Sequence, residues 1–400
     1  MKILVADKLA ESGIERLRQH EHEVAVRPDL TGDELIDALR ETEPAVLVVR
    51  STKVPEPAIA ASPSLELIVR AGAGYDNIDV QAASARGVFV SNCPGKNAAA
   101  VAELTIGLLL ALDRAIPDNV IEARNGRWEK GQFSKASGLK GRTLGVIGLG
   151  GIGTLVVKLG LSLNMRVVAW SRSLTDERAA ELGIERREDP LAVAAASDYV
   201  TLHVAATPDT KQLAGREFFE RMKEGAGFIN TTRGSVVDEA ALRWAVENRG
   251  IRAALDVVEN EPAGKSGEFS HPLAQVEGVY ITHHIGASTQ QAQDETAIEA
   301  ARIVNVYNET GRVENCVNLA DQSPATMLLA VRHLDRVGVL ASVLDEIRKA
   351  DWNVQEMENL VFAGAQAACA RIQVDGREDQ SVVDRIRDLD NILAVSLLTP

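Results

Sequence analysis

The chain is short of the residues that would point to several common functions. It has three cysteines, Cys93, Cys316 and Cys369, in 400 residues. They are too few for a disulfide framework and are not spaced like a metal knuckle, so each is expected to be a plain thiol in a reducing compartment, with no metal site. Positive charge is scarce too: 43 Lys and Arg against 57 Asp and Glu give a formal net charge of −14. Nucleic acid and anionic membranes reward an excess of Lys and Arg, so neither is expected as a partner, and an anionic substrate would need a local basic pocket. No apolar run reaches the roughly 18 residues that a membrane span needs. The opening "MKILVADKLAESG" reads as a strand running into a helix rather than as an export leader, which leaves the cytoplasm as the expected location. Histidine is also sparse, with seven in all, so the adjacent His283 and His284 in "ITHHIGAST" stand out.

What is present is ample core material. A content of 46% hydrophobic and 25% charged residues describes a globular chain, and the length suggests two or three domains. For about the first 310 residues, short apolar strands such as "KILVAD", "AVLVVRS", "LELIVRAG" and "GVFVSN" alternate with amphipathic stretches. That rhythm predicts βαβ units and parallel sheets with helices on both faces. A long Ala- and Leu-rich helix is expected from about Ala98 to Arg114, and a second sheet from "RTLGVIGLGGIG" onward.

"GLGGIG" carries Gly148, Gly150 and Gly153 in GxGxxG spacing, directly after the strand "TLGVI" and before a helical run. In this setting the glycines allow a tight turn, close approach to a pyrophosphate and close helix packing, while the helix N-terminus offers free N–H groups. A dinucleotide is the expected ligand. The acidic residue that usually binds the adenosine ribose about 20 positions on is replaced by Ser171, followed by Arg172. With no carboxylate to repel a 2′-phosphate and a guanidinium beside it, NADP is admissible as well as NAD, and the choice between them stays open.

Three further clusters should meet at the carboxyl ends of parallel strands. "FINTTRGSVVD" supplies Thr231, Thr232 and Arg233, "AALDVVENEP" supplies Asp256 and Glu261, and "YITHHIGAST" supplies the histidines. Arginine offers a fixed fork of donors to a carboxylate. A histidine can take a hydroxyl proton as hydride leaves, and a neighbouring carboxylate favours its imidazolium form. Arg233, Glu261 and one histidine are together a toolkit for interconverting a 2-hydroxy acid and a 2-oxo acid.

With "VRSTKV", "VRAGAGYDNIDV", "NAAAVAEL", "GLGGIG", "NTTRGSVVDEAAL", "ALDVVENEP" and "THHIGAST", the sequence resembles the D-isomer-specific 2-hydroxyacid dehydrogenase family over essentially its whole length. The resemblance implies that His284 is the acid/base, Glu261 its partner and Arg233 the substrate anchor. It places Asp256 at the nicotinamide side, Gly151 and Ile152 at the pyrophosphate, and Gly286 and Ala287 beside the cofactor. It also implies a flavodoxin-like substrate domain, residues 1–98 and 288–318, around a Rossmann nucleotide domain, residues 99–287. Arg50, Ser51, Arg70, Ala73, Gly74 and Asn97 stand where relatives hold the substrate, with Lys96 a further phosphate candidate. The implied reaction is oxidation of 3-phosphoglycerate to 3-phosphohydroxypyruvate, with reduction of glyoxylate or hydroxypyruvate as the alternative and a corepressor-like binding protein as the rival outside enzymes. A homodimer or homotetramer is expected.

The last stretch, residues 326–400, alternates as βαββαβ, the ferredoxin-like order. It resembles an ACT domain, a module that senses amino acids. His333, Asp335 and Asn353 match effector positions there, with Asp335 in place of an asparagine and Val337 in place of a proline, so serine is a possible effector.

Overall fold

The computed structural model describes residues 1–262, 267–320 and 322–398. Asp321 in the connector before residue 326, and Thr399 and Pro400 at the end of the expected last strand, lie outside them. Residues 1–318 form one compact unit and residues 319–400 another.

The first unit holds two parallel sheets. Strands β1 (Lys2–Val5), β2 (Glu23–Val26), β3 (Val46–Val49), β4 (Leu67–Arg70) and β5 (Phe89–Asn92) form a five-stranded sheet in the order β2-β1-β3-β4-β5. Seven more, β6 (Thr143–Ile147), β7 (Arg166–Trp170), β8 (Glu185–Arg186), β9 (Tyr199–Leu202), β10 (Gly227–Asn230), β11 (Arg252–Leu255) and β12 (Val279–Ile281), pair in the order β12-β11-β10-β9-β6-β7-β8. The central strands "VLVV", "TLGVI", "YVTL" and "GFIN" are buried along their whole length. Helices cover both faces of such sheets, which is why these strands read as unbroken apolar runs rather than as alternating ones.

The helix Ala98–Arg114 packs on the larger sheet through Leu108, Leu109 and Leu112. The helix Gln290–Thr310 returns to the smaller sheet. Gly13 in the helix Glu11–Gln19 permits that crossing, since a Cβ there would lie 2.6 Å from the Ala297 carbonyl oxygen. The chain after it adds to the edge of β5, where Val317 N–H donates to Val90 O at 2.8 Å and the Asn318 side chain accepts from Val90 N–H at the same distance.

The second unit is a four-stranded antiparallel sheet in the order β14-β15-β13-β16, built from β13 (Met327–Leu334), β14 (Asn353–Val361), β15 (Ala367–Asp375) and β16 (Ile392–Leu398). The helices Val339–Lys349 and Gln380–Arg387 bury Val343, Ile347, Val383 and Ile386 against the sheet. The expected fold class, two parallel α/β sheets followed by a small βαββαβ unit, is what the chain adopts.

Candidate active site

The loops at the carboxyl ends of these strands carry the chemistry-bearing residues. At the end of β6, Gly148 (φ 96°) turns so tightly that a Cβ would lie 2.5 Å from the His203 carbonyl oxygen. A Cβ on Gly153 would overlap the Gly148 carbonyl. Both glycines are therefore required by backbone contact. Gly150 caps the helix Gly151–Ser162, and a Cβ on it would meet nothing. The first-turn amides of Gly151, Ile152 and Gly153 have no partner within the helix. Beneath the turn, burial lowers the His203 pKa to about 3, and its Nδ1 is buried without a partner. Open ground above a glycine turn at a helix N-terminus fits a dinucleotide pyrophosphate. Past β7, Ser171 is half-buried and Arg172 exposed, with neither side chain engaged in a hydrogen bond among the described residues.

Beyond β10, Asn230 is fully buried and fixes the turn that presents Arg233. Its Oδ1 accepts from Thr232 Oγ1 (2.6 Å) and Thr232 N–H (3.0 Å), and its Nδ2 donates to Arg233 O (3.0 Å). Thr231 meets Thr105 of the long helix at 3.3 Å between hydroxyl oxygens.

At the end of β11, Asp256 is 1% exposed, and its carboxylate accepts from Thr282 Oγ1 (2.6 Å), Ile285 N–H (2.9 Å) and Gly286 N–H (2.8 Å). Asp256 O also accepts from His284 N–H at 2.9 Å. This clamp holds His284 in the left-handed region at φ 51°, an uncommon backbone state for a residue with a Cβ. Asp256 is thus committed to the loop that carries the histidine.

His284 Nδ1 lies 2.8 Å from Glu261 Oε2. Burial would push the Glu261 carboxyl up, but the His284 hydrogen bond and charge, the Val258 N–H and the Arg233 charge together hold it below its ordinary value. His283 is exposed and makes no side-chain hydrogen bond among the described residues. The structure therefore separates the two histidines: only His284 has a carboxylate partner.

Three guanidiniums gather opposite. Arg70 is largely enclosed, and its Nε is buried without a partner. Burial and the charges of Arg233 and Arg50 lower its pKa, with Asp76 acting the other way. Asp76 lies 3.4 Å from Arg233 Nη2 and is the nearest counter-charge. The glycine loop makes room for these groups. A Cβ on Gly72 would overlap Arg70 Nη1, and one on Gly74 would overlap Arg233 Nη2. Asn92 Nδ2 donates to Ala73 O at 2.6 Å, which fixes the loop, while the amides of Ala73 and Gly74 have no partner among the described residues. A cavity of about 600 Å³ is lined by Arg50, Ser51, Arg70, Asn97, Glu261 and His284, among others, with Ala287 at its rim.

Two expectations change at this site. The backbone amides of Arg50, Ser51 and Thr52 all donate to one oxygen of buried Asp7 (2.7, 2.9 and 2.9 Å), so Ser51 has only its hydroxyl as a donor for an anionic ligand. Lys96 is drawn to Glu299 at 3.3 Å, Glu299 is also gripped by Arg302 at 2.7 Å, and Lys96 does not line the cavity, so this geometry does not favour it as a phosphate group. Asp7, Asp76 and Asn230 were not anticipated from the sequence. The Asn-Thr-Thr-Arg spacing carried the one available hint, for Asn230.

In the second unit, His333 is 1% exposed, with Nδ1 2.8 Å from Leu334 O and Nε2 3.2 Å from Asn359 Oδ1. Asp335 and Asn353 are exposed. His333 pairs with Ala368 and Asn353 with Asp375, so the two lie seven residues apart along β15, roughly 23 Å at strand rise. Within one copy the three expected effector residues do not form a single site. All three cysteines are free, and burial pushes the Cys93 thiol up to about 12. Among the described residues no cluster of metal ligands forms, and no helix is long and apolar enough to cross a membrane.

A glycine turn opening a helix, a guanidinium cluster and a histidine–carboxylate pair lie at the mouths of parallel strands, the arrangement that hydride transfer between a dinucleotide and a 2-hydroxy acid requires. Residues 106–286 match the family "D-isomer specific 2-hydroxyacid dehydrogenase, NAD binding domain", and the chain belongs to that family. It is 38% identical over 312 residues to a hydroxypyruvate reductase of Thermotoga maritima, covering 78% of this chain and 98% of the relative. It is 39% identical over 348 residues to a D-3-phosphoglycerate dehydrogenase of Archaeoglobus fulgidus, covering 86% of this chain. The chain spans 64% of that longer relative. The solved structure of an NAD+-bound 3-phosphoglycerate dehydrogenase from Entamoeba histolytica superposes with a TM-score of 0.66 at 26% identity, covering 80% of this chain and 99% of that one.

Proposed function

We propose that the chain oxidises 3-phosphoglycerate to 3-phosphohydroxypyruvate, with residues 1–98 and 288–318 as substrate domain, residues 99–287 as nucleotide domain and residues 326–400 as an ACT-like regulatory module. The observation that carries this reading is the triple guanidinium cluster of Arg50, Arg70 and Arg233 in a chain of net charge −14. One arginine suffices for a carboxylate. Arg50 and Arg70 line the adjoining cavity, which Asp76, Glu261 and His284 share with the Arg233 side, and they suit a second anionic group such as a phosphate ester.

Bound NAD supplies the hydride acceptor. Arg233 forks onto the substrate carboxylate, and the free amides of Ala73 and Gly74 add donors. His284 Nε2 takes the hydroxyl proton, while Glu261 on Nδ1 fixes the tautomer and stabilises the imidazolium that forms. In the reverse direction the same proton returns to the carbonyl oxygen. Arg172, with no carboxylate at position 171, leaves room for NADP as well.

The second reading is reduction of hydroxypyruvate or glyoxylate, favoured by a hydroxypyruvate reductase of which 98% is covered. Initial rates with 3-phosphohydroxypyruvate, hydroxypyruvate and glyoxylate plus NADH or NADPH distinguish the two. The proposal expects kcat/KM for the phosphorylated acid to exceed the others by about tenfold or more, the scale of one charge-assisted hydrogen bond. Preference for the unphosphorylated acids overturns it. A serine effect through the last unit would require two copies, since Asn353 and His333 are far apart in one.

A further inference from the structure

Beside the His284–Glu261 pair lies a second histidine–glutamate pair, and the chemistry above does not use it. His271 Nε2 is 3.0 Å from Glu239 Oε2, with side chains 7% and 17% exposed. Leu273 N–H donates to His271 Nδ1 at 3.3 Å, so the ring proton sits on Nε2 and points at the glutamate. Phe269 stacks on the His271 ring with centroids 5.7 Å apart. The other Glu239 oxygen, Oε1, accepts from Glu259 N–H at 2.7 Å.

This geometry joins the two halves of the reaction site. Glu239 opens the helix Glu239–Arg249, directly after the turn that presents Arg233. Glu259 lies in the loop that carries Glu261, whose Oε1 accepts from Val258 N–H at 3.2 Å. Gly234 fits flush against the same loop, since its Cβ would overlap the Val258–Glu259 peptide. The anchor turn and the acid/base loop thus touch at Gly234 and are hydrogen-bonded at Glu239. His271 holds Glu239 in place.

We propose that Glu239 and His271 are positioning residues that set Glu261, and through it His284, at a fixed height over Arg233. The proposal rests on the reading of His284 and Glu261 as the acid/base pair. Neither residue reaches the cavity that holds Arg50 and Arg70. Neither is among the contacts of the Gly148–Gly153 turn, so their effect should fall on the chemical step and not on the dinucleotide.

The test uses the full-length chain with NADH and whichever of 3-phosphohydroxypyruvate and hydroxypyruvate it reduces faster. Glu239→Ala and His271→Ala should each lower kcat by about tenfold to a hundredfold, the scale of a misplacement near 1 Å, with KM for NADH within about twofold. Glu239→Gln, which keeps shape and an acceptor for Glu259 N–H, should recover part of the loss and carries the test if the alanine variants fold poorly. Placed in a Glu261→Gln background, Glu239→Ala should cost little more, because residues acting as one unit are not additive. Losses that multiply in that background, or a kcat loss matched by a rise in KM for NADH, overturn the proposal. A Glu261→Gln variant with wild-type turnover would instead sink the acid/base reading itself, so the two failures are distinct.

Discussion

Replacing Gly74 with alanine should separate activity from stability. A Cβ at that position overlaps Arg233 Nη2 and lies 3.4 Å from Arg233 Cζ and 3.0 Å from Asp76 Oδ1. The obstacle is the far end of a flexible, one-third exposed side chain, so the fold can yield: the guanidinium swings away by roughly 1 Å or more, at small cost in packing. Global stability should therefore change by less than about 0.5 kcal/mol, as for most substitutions that meet no fixed core. The function of Arg233 depends on direction, however, because its fork must face a carboxylate in plane. Losing one charge-assisted hydrogen bond costs about 1.5–3 kcal/mol, or roughly 10- to 150-fold in kcat/KM for the 2-oxo acid. Steady-state NADH oxidation with thermal unfolding on the same samples gives both numbers. Wild-type kcat/KM at wild-type Tm would refute the argument, since it would mean that Arg233 does not need its present orientation.

Other outcomes follow from the same contacts. Asp7→Ala leaves the amides of Arg50, Ser51 and Thr52 without their shared acceptor, so denaturant unfolding should show a loss of about 3 kcal/mol or more, while Asp7→Asn, which keeps an acceptor oxygen, loses less. Lys96→Met should leave KM for 3-phosphohydroxypyruvate within about twofold, because Glu299 retains Arg302, with at most about 1 kcal/mol of destabilisation. Glu261 is held below its ordinary value, so the stability it contributes is complete above the unfolded carboxylate range and is lost as pH falls through its folded value. Glu261→Gln should then flatten acid unfolding below about pH 5 relative to wild type, and parallel curves for the two proteins would contradict this.

The parts of the site that were legible in the sequence are those whose cause is local. "GLGGIG" reads as a phosphate turn from its spacing between strand and helix: Gly153 is demanded by the Gly148 carbonyl five residues before it, while Gly148 meets the His203–Val204 backbone just past β9. Arg233, Glu261 and a histidine are legible because residues just past parallel strands converge whatever the intervening chain does, whereas the choice of His284 over His283 rests on the family resemblance. The groups that hold them in place left no such trace. Asp7 serves amides 43 to 45 residues away, and His271 reaches back 32 positions to Glu239, so neither creates a periodic signal. The burden placed on Asp256 was also hidden, because only the folded loop shows its carboxylate filled by Thr282, Ile285 and Gly286. In the second unit the sequence pattern gave the order of strands and helices, yet not that Asn359 engages His333 across the sheet.

The central claim is that His284 moves the proton in a hydride transfer, and His284→Ala tests it most directly. NADH oxidation by the preferred 2-oxo acid should fall by roughly a hundredfold to ten-thousandfold, the range for a general acid, with NADH binding measured by fluorescence unchanged. Turnover by His284→Ala at the wild-type rate, with binding intact, would contradict the account.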